Sequence, residues 1–414
     1  MKQKEQVLPS GKDRRAFLKG GMFAAGTMTA LGAGLLPGGL SALEIEAGKR
    51  SSLTRGDIAI LRFLQALEQI EADLWIQYSE LGGTQDSVVS GVDGGNALYT
   101  AALQILDGDM DQYIHDNTDD EISHAAFLAS YLESKGSSAV DLEPFRHLPS
   151  SRAAGANQNF RGDGGRLTNL MQLTIDTSFW SRYRSILNPD VTPGASFAQA
   201  VPDLNVGQHT AIPRTDADAA GSSISADSAD NPKSISPHLQ AIAFTAGFHF
   251  AFIEQGGSSL YPTLALKVND QEVLRILLSI GPSETMHFQT WQDKAGNALP
   301  LTDQDTGFPG STGSSVTFRD LKKAQGETDP ESRKGDTLQA NLIMPGPTQF
   351  LKRGLPPVSI IRPTSPERAG AVAAVRGLIA DGLFIGHTVH GKSDGLVELL
   401  LGLAAKADAA ERRF

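Results

Sequence analysis

Apolar residues recur at the spacing of an α-helix in the first part of the chain. From Thr54 to Leu81 they form a stripe that ends at the Gly82-Gly83 pair, a combination typical of a long helix and its stop. A second helical stretch runs from about Asn96 to Lys135, and the sequence Asp107-Gly108-Asp109 predicts a break or kink within it. The pattern therefore predicts two long helices in residues 54–136.

A second pair of long helices is predicted further along the chain. The third helix begins at Ser236-Pro237, because a serine followed by a proline suits a first helical turn, and it ends at Gln255, before Gly256-Gly257. The fourth begins at Asn269 or Asp270 and reaches about Lys294. Residues 236–294 thus supply the other half of a four-helix core.

The remaining segments lack sustained periodicity. Residues 137–235 are rich in polar residues and glycine, and only Arg166 to Leu187 has the pattern of an amphipathic helix. Residues 295–337 are expected to be irregular or hairpin-like, and the tail from Ser365 to Arg413 is expected to form two helices divided around Gly391 to Ser393. We therefore expect an all-α protein with a long insertion between core helices 2 and 3 (137–235) and a C-terminal helical extension (295–414).

Composition places the chain among ordinary globular proteins and narrows its chemistry. Hydrophobic residues make up 40% and charged residues 20%, which disfavours both whole-chain disorder and a polytopic membrane protein. The formal net charge of −11 disfavours nucleic-acid binding, which draws on clusters of Lys and Arg. The chain has no cysteine, so any bound metal must be held by oxygen and nitrogen ligands.

The N-terminus has the features of an export signal. The sequence Asp13-Arg14-Arg15-Ala16-Phe17-Leu18-Lys19 precedes an apolar stretch from Gly20 to Leu36 that is short for a membrane-spanning helix. This segment resembles a twin-arginine signal, which implies export of the folded protein to the periplasm or the extracellular space. We expect residues 1–42 to be the signal, with an uncleaved anchor as the alternative. No membrane span is expected after its removal.

Two copies of a Glu-x-x-His motif carry the candidate chemistry. They are Glu121-Ile122-Ser123-His124 and Glu284-Thr285-Met286-His287, each in the middle of a predicted helix. On a helix this spacing places a carboxylate and an imidazole on one face, one turn apart, so that both can bind one ion. Chance spacing on two solvated helix faces is the alternative interpretation.

Glu68 and Glu254 interrupt the apolar stripes of the other two core helices. Each is followed two turns later by an aromatic residue on the same face, Trp75 and Tyr261 respectively. These aromatic side chains could donate a hydrogen bond to a ligand or simply pack in the core. Glu71, one turn after Glu68, could replace it as a ligand or lie behind it.

Other polar residues have weaker signals. His249 is expected to be structural or to support a ligand, and Asp176 could cap the site from the insertion. His387 and His390 share helical spacing in the tail and could together bind an ion. A packed or partly exposed role is favoured for both, because no carboxylate flanks them closely in the sequence.

Four segments together resemble the ferritin-like superfamily, in particular exported bacterial proteins related to desiccation-associated proteins. They are Glu68 to Trp75, Asp119 to Ala125, Ile253 to Tyr261 and Ile280 to Trp291. The resemblance implies a ferritin-like four-helix bundle with a dinuclear metal centre. It implies six metal ligands, with Glu121 and Glu284 as bridges: Glu68, Glu121, His124, Glu254, Glu284 and His287.

These ligand types suit two iron or manganese ions, with oxygen or peroxide as reaction partners. The resemblance therefore implies an exported metalloprotein with redox chemistry, and it leaves open whether the chain is an enzyme and whether it forms a homo-oligomer. A structural or stress-protective envelope protein with a vestigial or purely stabilising metal site is the alternative. Iron storage in a hollow shell is a weaker one, because the insertion and tail would need space in a closed shell.

Overall fold

The computed structural model describes residues 53–86, 95–157, 165–182, 198–224, 234–321 and 370–413. Within these ranges the chain is mostly helical with a few short strands, which confirms the predicted helical class. The export signal predicted at 1–42 lies outside the described residues.

The first two helical stretches lie close to their predicted positions. Helix α1 (Arg55–Gly82) follows Thr54, whose hydroxyl accepts the backbone N–H of Asp57 at 3.1 Å. The second stretch is broken as expected, into α2 (Ala97–Leu103) and α3 (Met110–Ser134). Helices α1 and α3 pack against each other.

The insertion does not form the amphipathic helix predicted for Arg166 to Leu187. Residues 165–178 are irregular, and the described part of that stretch contains only the short helix α4 (Phe179–Arg182). In residues 173–175 the backbone N–H groups donate to carbonyls far away in the chain instead of to the carbonyl one helical turn earlier. Leu173 N–H donates to His209 O, Thr174 N–H to Asp381 O and Ile175 N–H to Leu204 O. Tertiary hydrogen bonds therefore override the local helical pattern.

The insertion docks on polar residues of α1. Asp73 Oδ2 accepts the backbone N–H groups of Leu167 and Thr168, each at 3.0 Å, and Asp73 Oδ1 pairs with Arg146 at 2.6 Å. These contacts explain why α1 buries polar side chains in addition to its apolar stripe.

The second pair of long helices is α5 (Pro237–Ala265) and α6 (Gln271–Ala295), which pack side by side. Ser236 caps α5, and Asp270 caps α6. The prediction that the third helix ends before Gly256-Gly257 was wrong, because α5 continues through both glycines. Contacts with α6 decide the conformation here, and they override the low helix propensity of glycine.

The C-terminal part contains short hairpins and two helices. Strands β1 (Leu301–Gln304) and β2 (Ser315–Phe318) pair antiparallel, with Leu301 opposite Phe318. Helices α7 (Ala371–Ala380) and α8 (Leu396–Asp408) flank a hairpin of β3 (Thr388–Val389) and β4 (Lys392–Ser393). Helix α8 packs against α1, and α7 packs against α5. Among the helices in the described ranges, none combines the length and the apolar character needed to cross a bilayer.

Candidate metal centre

The long helices bring the six predicted ligands together. Helix α1 contributes Glu68, α3 contributes Glu121 and His124, α5 contributes Glu254, and α6 contributes Glu284 and His287. The four glutamates are at most 1% exposed, and His287 is 6% exposed. Carboxylates and imidazoles from distant stretches of the chain therefore share one buried site.

The six side chains form two overlapping sets. Ligand atoms of Glu68, Glu121, His124 and Glu284 all lie within 4.8 Å of one another, and so do those of Glu121, Glu254, Glu284 and His287. Glu121 and Glu284 belong to both sets. Each set holds three carboxylates and one imidazole, which are donors suited to iron or manganese. The geometry is therefore compatible with two ions that share two carboxylates.

The outer nitrogen of each histidine has a partner that orients the ring. His287 Nε2 lies 3.0 Å from Asp120 Oδ2 and donates its proton to that carboxylate. His124 Nε2 lies 3.3 Å from the Ser283 hydroxyl, which itself donates to the carbonyl of Ile280 and so accepts from the imidazole. In the neutral rings, Nδ1 of both histidines is then left with a lone pair that faces the glutamates.

Several buried atoms at the centre of the site lack a hydrogen-bond partner among the described residues. They are Glu68 Oε2, Glu254 Oε2, both carboxylate oxygens of Glu284, and His287 Nδ1. Their contacts within the site are ion-pair distances of 3.1–3.5 Å between the histidines and the four glutamates. Each unpaired buried polar atom costs about 1–3 kcal/mol. Cations bound between these oxygen and nitrogen atoms would accept their lone pairs. The residues present are therefore chemically suited to hold two metal ions.

Asn117 joins two carboxylates from different helices and was missed in the sequence. Its amide nitrogen donates to Glu121 Oε1 at 3.0 Å and to Glu254 Oε1 at 2.9 Å. Its carbonyl oxygen accepts the indole N–H of Trp291 at 2.6 Å. Asn117 lies one turn before Glu121 on the same face of α3. The sequence spacing could therefore have predicted that Asn117 lies at the site, but only if Glu121 was already known to face the interior.

Of the three residues predicted to lie behind the ligands, Tyr261 contacts one directly. Its hydroxyl donates to Glu68 Oε1. Trp75 is buried and stacks on Trp291, with ring centroids 5.3 Å apart. Glu71 is only partly buried and belongs to neither ligand set. Burial of its carboxyl group and the charges of Glu68, Glu121 and Glu254 raise the pKa of Glu71 well above its ordinary value, so Glu71 lies close behind the ligand sets without belonging to them.

Glycine residues on the facing helices allow this close approach. A methyl group on Gly257 of α5 would lie 2.3 Å from Glu284 Oε2, whereas Gly256 has no neighbouring atom within 4 Å. On α6, a methyl group on Gly281 would lie 2.7 Å from Tyr261 Cβ. The absence of a side chain at Gly257 is therefore what admits the Glu284 carboxylate.

Without cations, the histidines balance the carboxylates. Burial opposes the charge on His124, but its contacts with Glu121 and Glu68 outweigh this effect and raise its pKa to about 10. The pKa of His287 is also raised against burial, mainly by Glu254. Burial raises the pKa of Glu68 to about 7 and that of Glu284 well above its ordinary value. Protonated imidazoles thus occupy the role that metal ions would take over.

The remaining candidates lie elsewhere. His249 Nδ1 is 2.7 Å from the Tyr78 hydroxyl, and Asp176 Oδ1 accepts the backbone N–H of Ser178 at 2.9 Å. Neither belongs to a ligand set in the described part of the chain. His387 and His390 are not on a helix, and His387 has a carboxylate partner, Asp394, at 2.7 Å. His387 is buried and His390 is exposed, and the β3–β4 hairpin folds Asp394 back onto His387, a pairing that the sequence spacing did not predict.

Comparison of the chain with known protein families, curated proteins and solved structures finds no match. The functional interpretation accordingly rests on the geometry of the site.

Proposed function

We propose that this chain is an exported ferritin-like protein in which α1, α3, α5 and α6 form a four-helix bundle around a dinuclear iron or manganese centre. The observation that carries the proposal is the pair of overlapping ligand sets that share Glu121 and Glu284. The oxygens of Glu284 support it further, since this residue belongs to both sets and neither oxygen has a hydrogen-bond partner among the described residues.

Each ion would have its own terminal ligands. Glu68 and His124 would hold one ion, Glu254 and His287 the other, and Glu121 and Glu284 would bridge them. Four carboxylates offset the charge of two divalent ions, so the filled site is close to neutral inside the protein. The bound ions would supply redox chemistry toward oxygen or peroxide.

The protein's own residues hold protons and orient donors. Asp120 and Ser283 keep the Nε2 protons of His287 and His124, so the protons lost when a cation binds leave from Nδ1. Tyr261 donates to Glu68 Oε1 and leaves Oε2 of that carboxylate for an ion. Asn117 similarly holds one oxygen of Glu254 and leaves the other without a partner.

Export is part of this proposal and is supported by the twin-arginine-like segment Asp13 to Lys19. A signal of this type carries folded proteins, which is consistent with a metal centre assembled before export.

Metal analysis of protein purified from its own host tests the proposal. We expect about two iron or manganese ions per chain. Glu284→Gln removes a bridging charge while it keeps the shape of the side chain, and it should lose both ions. Glu133→Gln is the matched control, because this exposed glutamate lies on α3 but in neither ligand set, and it should retain them.

A protein without metal, or equal loss of metal in both variants, would contradict the dinuclear centre. Chelation separates this function from a scaffold with a vestigial site. A ligand present at 100 times its Kd stabilises the folded state by about 2.7 kcal/mol. Removal of the metal should therefore lower the unfolding free energy by several kcal/mol, whereas a scaffold would unfold unchanged.

A further inference from the structure

Three side chains from the insertion and the C-terminal segment converge at a place that shares no residue with the dinuclear centre. His147 Nε2 lies 3.0 Å and His387 Nδ1 lies 2.7 Å from the same oxygen, Asp394 Oδ2. One ligand atom from each of the three residues lies within 4.8 Å of the other two. The two imidazole rings are inclined at 70° to each other, with centroids 5.1 Å apart. Donors from three directions therefore surround one point.

The hydrogen bonds of His387 direct a lone pair to this point. His387 Nε2 lies 2.8 Å from the carbonyl oxygen of Leu167, which can only accept, so Nε2 carries a proton. In the neutral ring, the Nδ1 lone pair then faces the Asp394 carboxylate, and the two repel unless a proton or a cation lies between them.

His147 Nε2 lies 3.0 Å from the same Asp394 oxygen without meeting the geometry of a hydrogen bond to it. The Nε2 atom of His147 is buried and has no hydrogen-bond partner among the residues that the structure describes. A single cation would satisfy both imidazole nitrogens and the carboxylate oxygen together, because all three atoms can donate an electron pair and lie within 4.8 Å of one another.

The backbone holds these donors in place without help from an ion. Leu148 and Arg166 exchange two backbone hydrogen bonds, of 3.0 and 3.2 Å, which brings His147 beside Leu167. Asp394 Oδ1 accepts the backbone N–H of Leu396 at the start of α8, and Oδ2 is thereby held facing the two imidazoles. Gly386 has a φ of 108°, and a methyl group there would lie 2.9 Å from Leu148, so glycine lets the two segments approach.

We propose that His147, His387 and Asp394 bind one divalent transition-metal ion, with zinc as the metal of choice. Two imidazoles and one carboxylate form a known donor set for mononuclear sites that keep an open coordination position. The side chain of His147 is 29% exposed and that of Asp394 is 5% exposed, so the three residues lie just below the surface. The bound ion joins the insertion to the C-terminal segment.

Zinc titration of the metal-free full chain tests this site. His147→Gln and Asp394→Asn should each bind one zinc ion fewer per chain than the wild type, or bind that ion about 100-fold more weakly. Asp394→Asn retains the side-chain oxygen that caps α8, so the fold should persist. His390→Asn is the control, because His390 is exposed in the same hairpin and its left-handed φ of 51° suits asparagine. It should bind zinc as the wild type does.

The same titration in a Glu284→Gln background separates the two sites. If the double variant His147→Gln, Glu284→Gln binds one zinc ion fewer than Glu284→Gln alone, the lost ion was bound at the site of His147. This result does not depend on whether the dinuclear centre binds zinc. If His147→Gln binds the same number of zinc ions as the wild type, with unchanged affinity, the three residues form only an ion pair and the proposal is overturned.

Discussion

The chain buries ionisable side chains in two contrasting places: around Arg214, and among the four long helices. Near Arg214, the guanidinium lies 2.8 Å from Asp218 and 2.7 Å from Asp305. His238 contacts Asp218 at 3.2 Å through one ring nitrogen and Asp303 at 2.8 Å through the other. Positive and negative groups alternate in this Arg214 cluster, and within the described residues none of their buried atoms lacks a partner.

The ligand set among the helices has the opposite character. Four carboxylates face two histidines, and several of the carboxylate oxygens lack hydrogen-bond partners. Buried charge is tolerated when it is paired and hydrogen-bonded, so the Arg214 cluster needs nothing from outside the chain. Unpaired electron-pair donors, and not burial of charge as such, therefore distinguish the proposed cation site from a structural network.

Breaking the Arg214 cluster should have the largest effect on stability. Arg214→Met leaves Asp218 and Asp305 buried without their cation, and this should cost about 3–5 kcal/mol of unfolding free energy. Urea unfolding of the metal-free protein measures it. Arg275→Met, at an exposed position of α6, is the control and should change stability by less than about 0.5 kcal/mol. Equal effects of the two changes would show that the cluster is not structural.

The neighbouring glycines of α5 test whether the ligand set depends on close packing. Gly256→Ala should stabilise the protein by about 1 kcal/mol, because alanine favours the helix and meets no other atom. Gly257→Ala should be less stable than Gly256→Ala by about 1–3 kcal/mol, because its methyl group collides with Glu284. It should also lower metal content. Thermal unfolding and metal analysis of both variants decide the point, and identical behaviour would contradict it.

The Arg214 cluster should also make stability depend on pH. Burial opposes the charge on His238, but its hydrogen bonds to Asp218 and Asp303 raise its pKa from 6.5 to about 9. A raised folded-state pKa stabilises the protein fully below pH 6.5, and this contribution is lost as the pH rises through 9. We expect a loss of about 1–2 kcal/mol over this interval. In His238→Gln, the unfolding free energy measured between pH 6.5 and pH 9 should depend less on pH than in the wild type. An unchanged dependence on pH would contradict the role of His238.

The smallest effect, and one of opposite sign, is expected for Glu284→Gln without metal. This change removes one buried acid from a crowded acidic set, so the metal-free variant should be about 1 kcal/mol more stable than the wild type. Urea unfolding in the presence of a chelator measures it. A loss of more than about 1 kcal/mol would mean that Glu284 has a stabilising partner in the metal-free protein.

Local chemistry made much of this architecture predictable. The start of α1 near Thr54, the break near Gly108 and the start of α6 at Asn269 or Asp270 depend on residues within one or two turns, and the structure has them close to where the pattern places them. The Glu-x-x-His spacing likewise predicts that Glu121 and His124 share a helix face, since the helical period alone decides it.

Contacts between residues far apart in the sequence determined the features that the sequence pattern did not predict. The insertion lost its predicted helix because its N–H groups find carbonyls far away in the chain, and α5 continues through Gly257 because Glu284 packs there. Asn117 and the pairing of His387 with Asp394 were missed for the same reason, since no periodicity reports which segments will meet. The helical period places a side chain on a face, but only the packing of one helix against another determines what that face encounters.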